Sequence, residues 1–303
     1  LQKLPIEHAT THLRLLGMAV LWGGSWPGVR YLVQLLPPAS ISAWRFLLAT
    51  TALLGWVWWR HGHFPRTTAR QGLWLVAAGL VGVFGYAILF MYGLKMVPAS
   101  RAALVVTINP VFTTLLAAWL FRERFNWKIG AGMATAVLGA MIVMSHGAPW
   151  KLLAGELSLG DWLLLGCMMA WVVYSLIGRA TLTGLDPVAA TAYAALVGMP
   201  LLWVAAYAID GSAAIMQTLV SLDGVGWFAM LFLSLGATVL AYAWFFEGIA
   251  KLGAGAASSY ISLVPVFGVT SSVLLLGEAV DASLMVGGVM AIVGVTVMNQ
   301  ARR

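Results

Sequence analysis

The chain has 303 residues, 61% of them hydrophobic and only 9% charged, with a formal net charge of +7. A soluble domain is about a quarter charged, so these few charges cannot cover so much apolar surface in water, and the lipid bilayer is the solvent the composition fits. The basic residues are scattered between apolar stretches, which argues against nucleic acid as a partner, and the single cysteine, Cys167, excludes an internal disulfide.

A bilayer core of about 30 Å needs roughly 20 apolar residues per helix. Ten segments qualify, near 13–33, 39–59, 71–94, 100–120, 127–145, 160–179, 187–208, 225–249, 255–276 and 282–299. Turn chemistry separates them, as in Pro37-Pro38, Gly62 to Pro65, Gly147-Ala148-Pro149 and Asp186-Pro187. The expected fold class is all-α and integral to the membrane, because lipid cannot satisfy unpaired backbone groups.

The first segment is full length, so no cleavable signal is expected. It reads Trp22-Gly23-Gly24-Ser25-Trp26-Pro27. Trp22 and Trp26 share a helix face, the glycines admit a close neighbour, and Pro27 frees the carbonyl of Gly23. The second segment holds Arg45, six residues and about 9 Å of rise from its start. A charge at that depth is a candidate binding residue, with snorkelling as the alternative. Trp56, Trp58 and Trp59 at its far end read as interfacial anchors. His61 and His63 follow in a basic loop without carboxylate or cysteine companions, so a metal is not expected there. The third segment carries Tyr86. The fourth carries Thr107, Asn109 and Pro110, whose ring leaves the Val106 carbonyl without its helical partner.

The sixth segment reads Trp171-Val172-Val173-Tyr174-Ser175. Mid-membrane aromatics beside hydroxyls suit an amphipathic ligand, or else simply pack as a core. The eighth segment shows Ser234, Thr238 and Tyr242 at spacing four, a polar stripe that either joins helices or lines a wet cavity. Glu247 and Lys251 read as a helix-end pair. In the ninth segment, Ser258, Ser259 and Ser262 precede Pro265, which frees the Ile261 carbonyl.

The chain repeats itself. Gly93, Pro110, Val111, Phe112, Glu123, Gly132 and Gly139 recur 155 residues later as Gly248, Pro265, Val266, Phe267, Glu278, Gly287 and Gly294. Trp22, Arg30 and Pro38 recur 149 residues later as Trp171, Arg179 and Pro187. The growth of the step fits a longer connection around Asp210–Gly224. Residues 1–146 and 159–300 are therefore expected to be two repeats, each of five helices. An odd number makes the second enter from the opposite side, giving inverted repeats about an axis in the membrane plane. Arg45 has no copy, since its equivalent is Ala194. Matched prolines in the two halves point to a transporter's site between them.

With the N-terminus cytoplasmic, 12 Lys and Arg lie inside and 4 outside, and the reverse orientation inverts the bias. Both termini are thus expected in the cytoplasm. No nucleophile–base pair, phosphate-cradling loop or zinc motif is visible, so neither an enzyme nor a cofactor is expected.

Trp22-Gly23-Gly24-Ser25-Trp26, Trp44-Arg45-Phe46, Asn109-Pro110-Val111-Phe112 with Glu123, and Val264-Pro265-Val266-Phe267 with Gly277-Glu278 resemble the drug/metabolite transporter superfamily, EamA type, over residues 13–299. The resemblance implies a central cavity between the halves, the fifth and tenth helices at the back, and export of neutral and aromatic amino acids with cationic drugs as a further class. Four-helix multidrug relatives use an acid in their first helix as the proton site; this first segment has none, which favours facilitated movement over proton coupling. The expected substrate wall is Trp22, Tyr86, Trp171, Tyr174 and Tyr242. Ser25, Asn109 and Ser262 are the expected polar contacts, Arg45 the carboxylate attractor, and Gly23, Gly24, Pro110 and Pro265 the hinges. The expected partners are the bilayer and a small molecule, an amino acid or alternatively an aromatic cation.

Overall fold

The computed structural model describes residues 4–121, 126–153, 157–181, 184–252, 257 and 260–301. Glu123, Ser258 and Ser259 lie outside them. Among the described residues the chain is helical throughout, with no strand. Ten principal helices run in order: α1 (Leu4–Leu35), α2 (Pro38–His61), α3 (Ala69–Met96), α4 (Ala99–Phe121), α5 (Trp127–Met144), α6 (Leu159–Thr181), α7 (Pro187–Ile209), α8 (Gly224–Leu252), α9 (Val264–Leu276) and α10 (Ala282–Ala301). A short apolar helix, Gly211–Val220, fills the longer connection expected before α8.

Eight of these helices are long and apolar enough to cross a bilayer. The two that differ from expectation have separate causes. α1 is the longest at 32 residues, but Arg14, Arg30 and a run of Gly, Ser and Trp dilute its apolar character. α9 has 13 described residues.

Local chemistry sets the ends. Asp186, Asn126 and Asp223 accept backbone N–H bonds at the starts of α7, α5 and α8, which satisfies otherwise orphaned donors. Gly62 closes α2 in the left-handed region at φ 68°, a conformation costly for any residue with a Cβ.

The inverted twofold is visible in the packing. α5 and α10 lie against each other through four glycines. A Cβ on Gly132 would stand 2.7 Å from the Gly294 carbonyl oxygen, and one on Gly139 would stand 2.5 Å from that of Gly287. The repeat exchanges Gly132 with Gly287 and Gly139 with Gly294, so each contact maps onto the other, as a twofold requires. The same exchange relates Gly93 against Leu164 to Gly248 against Leu15, and Gly17 against Trp244 to Gly166 against Leu89. Close backbone approach through small residues is how membrane helices gain dispersion energy without a hydrophobic drive.

The face where α1 begins and α10 ends is called here the terminal face, and the opposite one the far face. On the far face, the Glu278 carboxylate accepts the Ala99 and Ser100 amides at the start of α4, each at 2.8 Å, and the Ser100 hydroxyl at 2.5 Å. Asp210 does the same for α2 through Ser40. On the terminal face, Glu247 takes Lys251 at 2.8 Å and also Arg14 of α1 at 2.5 Å. The expected helix-end pair is therefore a triad that ties α1 to α8.

Candidate functional site

The matched prolines act on their helices in two ways. In α4 the interruption is a single 3-10 turn, Val106–Ile108, in which the Asn109 amide donates to the Val106 carbonyl. The carbonyl expected to be freed by Pro110 is thus taken up by a tighter bond. In α9 the chain turns at Ser262-Leu263, and Pro265 stands in the first turn of the helix that follows. That position needs no N–H, so proline fits without cost. Pro265 is accordingly at a helix start, not mid-helix as its sequence position implied. Pro27 leaves α1 unbroken, and the Gly23 carbonyl it frees lies 3.4 Å from the Ser271 hydroxyl of α9.

α3 and α8 each contain a π-helical stretch, Gly79–Gly85 and Phe232–Leu240. These stretches occupy equivalent parts of the repeat and end just before Tyr86 and Ala241, one residue ahead of Tyr242. A π turn widens the helix and leaves carbonyls off the usual register. Here the Ala237 carbonyl accepts the Trp22 indole N–H at 2.9 Å, and the Thr238 hydroxyl donates to the carbonyl of Leu233, five residues back.

These features converge on a cluster of rings between the halves. Trp22 and Trp171 meet edge to face, centroids 6.2 Å apart. Tyr242 lies 5.3 Å from Trp22, and Tyr86 lies 5.6 Å from Trp171, so each half sets a tyrosine on the tryptophan of the other. Tyr174 joins at 5.8 Å from Trp171, its ring resting on Gly82 of the π stretch where any Cβ would collide. All five rings remain partly exposed. Towards the far face the next layer is closed: Trp26 packs edge-on against Phe90 at 4.9 Å among buried Val29, Leu94, Met230 and Leu233.

Arg45 borders the cluster. It is 7% exposed, within electrostatic reach of Tyr86 and Tyr242, and its Nη2 donates to the Thr238 hydroxyl at 3.2 Å. Among the described residues its Nε and Nη1 have no hydrogen-bond partner. Burial without snorkelling separates it from an interfacial arginine.

Five of the residues read from the sequence, Trp22, Tyr86, Trp171, Tyr174 and Tyr242, thus share one site, and Arg45 adjoins it. Ser25 donates to the Trp22 carbonyl at 2.6 Å. Asn109 keeps a buried Oδ1 without a hydrogen-bond partner among the described residues. Among the described residues no hydrogen bond joins Asn109 or Ser262 to the rings. Gly23 and Gly24 are points of close approach: a Cβ on Gly23 would strike Phe267 of α9, and one on Gly24 would come within 3.1 Å of Phe232. Sequence reasoning passed over Phe245, 5.5 Å from Trp22, and did not bring Thr238 to Arg45, although the spacing-four stripe contained it. A cleft of about 400 Å³ at the far face, lined by Leu35, Pro37, Tyr92, Lys95 and Asp210, is separate from this site.

Comparison with known proteins agrees with this architecture. A solved crystal structure superposes with a TM-score of 0.65 at 21% identity, covering 97% of this chain and 99% of that one. The uncharacterized transporter YyaM of Bacillus subtilis (strain 168) is 26% identical over 96% of this chain and 93% of its own. A protein described as a probable terminal-alkyne amino-acid exporter, from Streptantibioticus cattleyicolor, is 27% identical over 93% and 90%. One described as a probable amino-acid metabolite efflux pump, from Escherichia coli (strain K12), is 25% identical over 91% and 90%. The profile of the EamA-like transporter family matches twice, at residues 10–145 and 158–300. A multi-pass helical chain built of two inverted halves around an aromatic site, matched along nearly its whole length, belongs to the EamA-like transporter family.

Proposed function

We propose that this transporter exports amino acids with neutral or aromatic side chains, and similar small amphipathic metabolites, from the cytoplasm by alternating access. The observation that carries the reading is the ring cluster of Trp22, Tyr86, Trp171, Tyr174 and Tyr242 at the junction of the halves. Aromatic faces there take an apolar or aromatic side chain by stacking, worth about 0.5–1.5 kcal/mol per contact beyond area. Relatives described as a probable terminal-alkyne amino-acid exporter and a probable amino-acid metabolite efflux pump support the substrate class.

The two repeats, residues 1–146 and 159–300, rock about the ring cluster. Pro110 marks where α4 departs from regular helix and Pro265 where α9 begins after its turn, and Gly23 and Gly24 let α1 slide against α9 and α8. Both chain ends lie in the cytoplasm and the chain in a bacterial inner membrane, a reading supported by the bias of Lys and Arg along the sequence. Ser25, Asn109 and Ser262 offer polar contacts as the helices move. The first helix holds no acid between Leu13 and Val33, so movement is downhill and not proton-driven.

Counterflow in proteoliposomes tests this. Preloading with an unlabelled neutral or aromatic amino acid should drive transient uptake of the labelled one without any ion gradient. Uptake that required an imposed proton gradient would overturn the facilitated mechanism, and no exchange of any amino acid would overturn the substrate class.

A further inference from the structure

We propose that Arg45 and Thr238 form an obligatory carboxylate site on one side of the ring cluster, so that the transporter accepts carboxylate-bearing substrates and rejects the corresponding amines. This deepens the amino-acid reading above and rests on it.

Arg45 is a permanent cation held at membrane depth with 7% exposure. Its Nη2 contacts Thr238, while Nε and Nη1 are buried and without a partner among the described residues. These two nitrogens carry three of the guanidinium's five donor hydrogens. An uncompensated buried charge and unsatisfied donors are both costly, and an intramembrane charge is retained where it serves a ligand or pathway.

The counter-charge does not come from the described acids of the chain. Glu247 is bound to Arg14 and Lys251, and Asp281 to Arg101. Glu278, Asp210, Asp186, Asp223 and Asp161 each hold the start of a helix. The Phe46 ring lies 5.1 Å from Cζ. A planar fork with unpaired donors, near Tyr86 and Tyr242, matches a carboxylate.

Thr238 is a positioning residue. Its hydroxyl is set by the π stretch of α8, donating to the Leu233 carbonyl at 2.8 Å while accepting from Arg45. The arrangement is one-sided, since the repeat places Ala194 where the copy of Arg45 would be. A pseudo-symmetric ring cluster thereby holds its substrate in one orientation, with the carboxylate towards α2 and α8 and the side chain among the tryptophans of α1 and α6.

The test is counterflow of labelled phenylalanine in proteoliposomes, with 3-phenylpropionate, phenethylamine and phenylalanine amide as competitors. The carboxylate should compete and the two carboxylate-free compounds should not. Arg45→Gln should raise the phenylalanine KM by about tenfold or more, as expected for loss of a charge-assisted bond, and Arg45→Lys should recover part of it. Thr238→Val should raise KM in the same direction, and neither variant should change competition by carboxylate-free compounds. Equal competition by phenethylamine and 3-phenylpropionate would overturn the proposal while leaving amino-acid transport intact. So would an unchanged KM in folded Arg45→Gln. If Arg45→Gln does not fold, the wild-type competition series and Thr238→Val decide. If the wild type exchanges no amino acid at all, the broader reading fails first and this one with it.

Discussion

Trp22 and Trp171 stand edge to face across the junction of the two halves, ring centroids 6.2 Å apart and planes at 82°. They are the same position of the repeat, and each carries the tyrosine of the opposite half. If this pair receives the substrate side chain, Trp22→Ala and Trp171→Ala should weaken aromatic substrates alike. Loss of one stacking face is worth about 0.5–1.5 kcal/mol. Counterflow should therefore show KM rising by roughly two- to tenfold, with smaller effects on alanine than on phenylalanine.

Trp22 also satisfies the Ala237 carbonyl of the π stretch. Trp22→Phe keeps a ring but removes the indole donor. The variant should lose about 1 kcal/mol of stability with a KM change below about twofold for phenylalanine, measured by thermal unfolding in detergent and by counterflow.

The glycine contact between α5 and α10 has no spare room. Gly139→Val places a side chain where the Gly287 carbonyl stands 2.5 Å from an ideal Cβ. Overpacking of this kind costs about 1–3 kcal/mol, and Gly287→Val should cost a similar amount. The double variant should lose less than the sum, because the helices have already parted. Melting curves of the three proteins check this.

Glu278 binds two amides and a hydroxyl at the start of α4. Glu278→Ala strands those donors in a partly buried place, at about 1–3 kcal/mol for an unsatisfied group. Glu247 sits in a more open ion-pair triad, where an exposed pair contributes about 1 kcal/mol or less. Thermal unfolding should rank Glu278→Ala well below Glu247→Ala.

Asp281, beyond the end of α9, is held below the usual carboxylate range by the Ser283 hydroxyl and the Leu284 amide, with Arg101 and His146 adding to this. Its folded-state pKa is depressed, so its contribution is present above the unfolded value of about 3.9 and is lost as pH falls through the lower folded value. Acid titration of the melting temperature should show a shallower decline below about pH 4 for Asp281→Asn than for the wild type.

Much of this site could be read from residue types. The paired tryptophans announced themselves because a repeat doubles every signal, Trp22 with Trp171. The unpaired Arg45 was conspicuous for the opposite reason. The π stretches were not legible, since an i to i+5 bond has no side-chain signature and glycines such as Gly79, Gly82 and Gly85 are common in membrane helices. Partners remote in sequence were equally hidden. Nothing in the chain links Glu278 to Ser100, 178 residues away, Arg14 to Glu247, or Arg45 to Thr238. Pro265 misled because an apolar run surrounds it, while the turn at Ser262 depends on packing that hydropathy does not encode.

Alternating access about the ring cluster is tested most directly by the accessibility of two buried positions on α1. Val29 lies in the packed layer towards the far face and Met18 towards the terminal face, both fully buried. With Cys167→Ser as background, Val29→Cys and Met18→Cys are labelled with a water-soluble maleimide in proteoliposomes, with and without phenylalanine. The account predicts that phenylalanine shifts the two labelling rates in opposite directions. Rates that rise or fall together, or that ignore every amino acid offered, would contradict it.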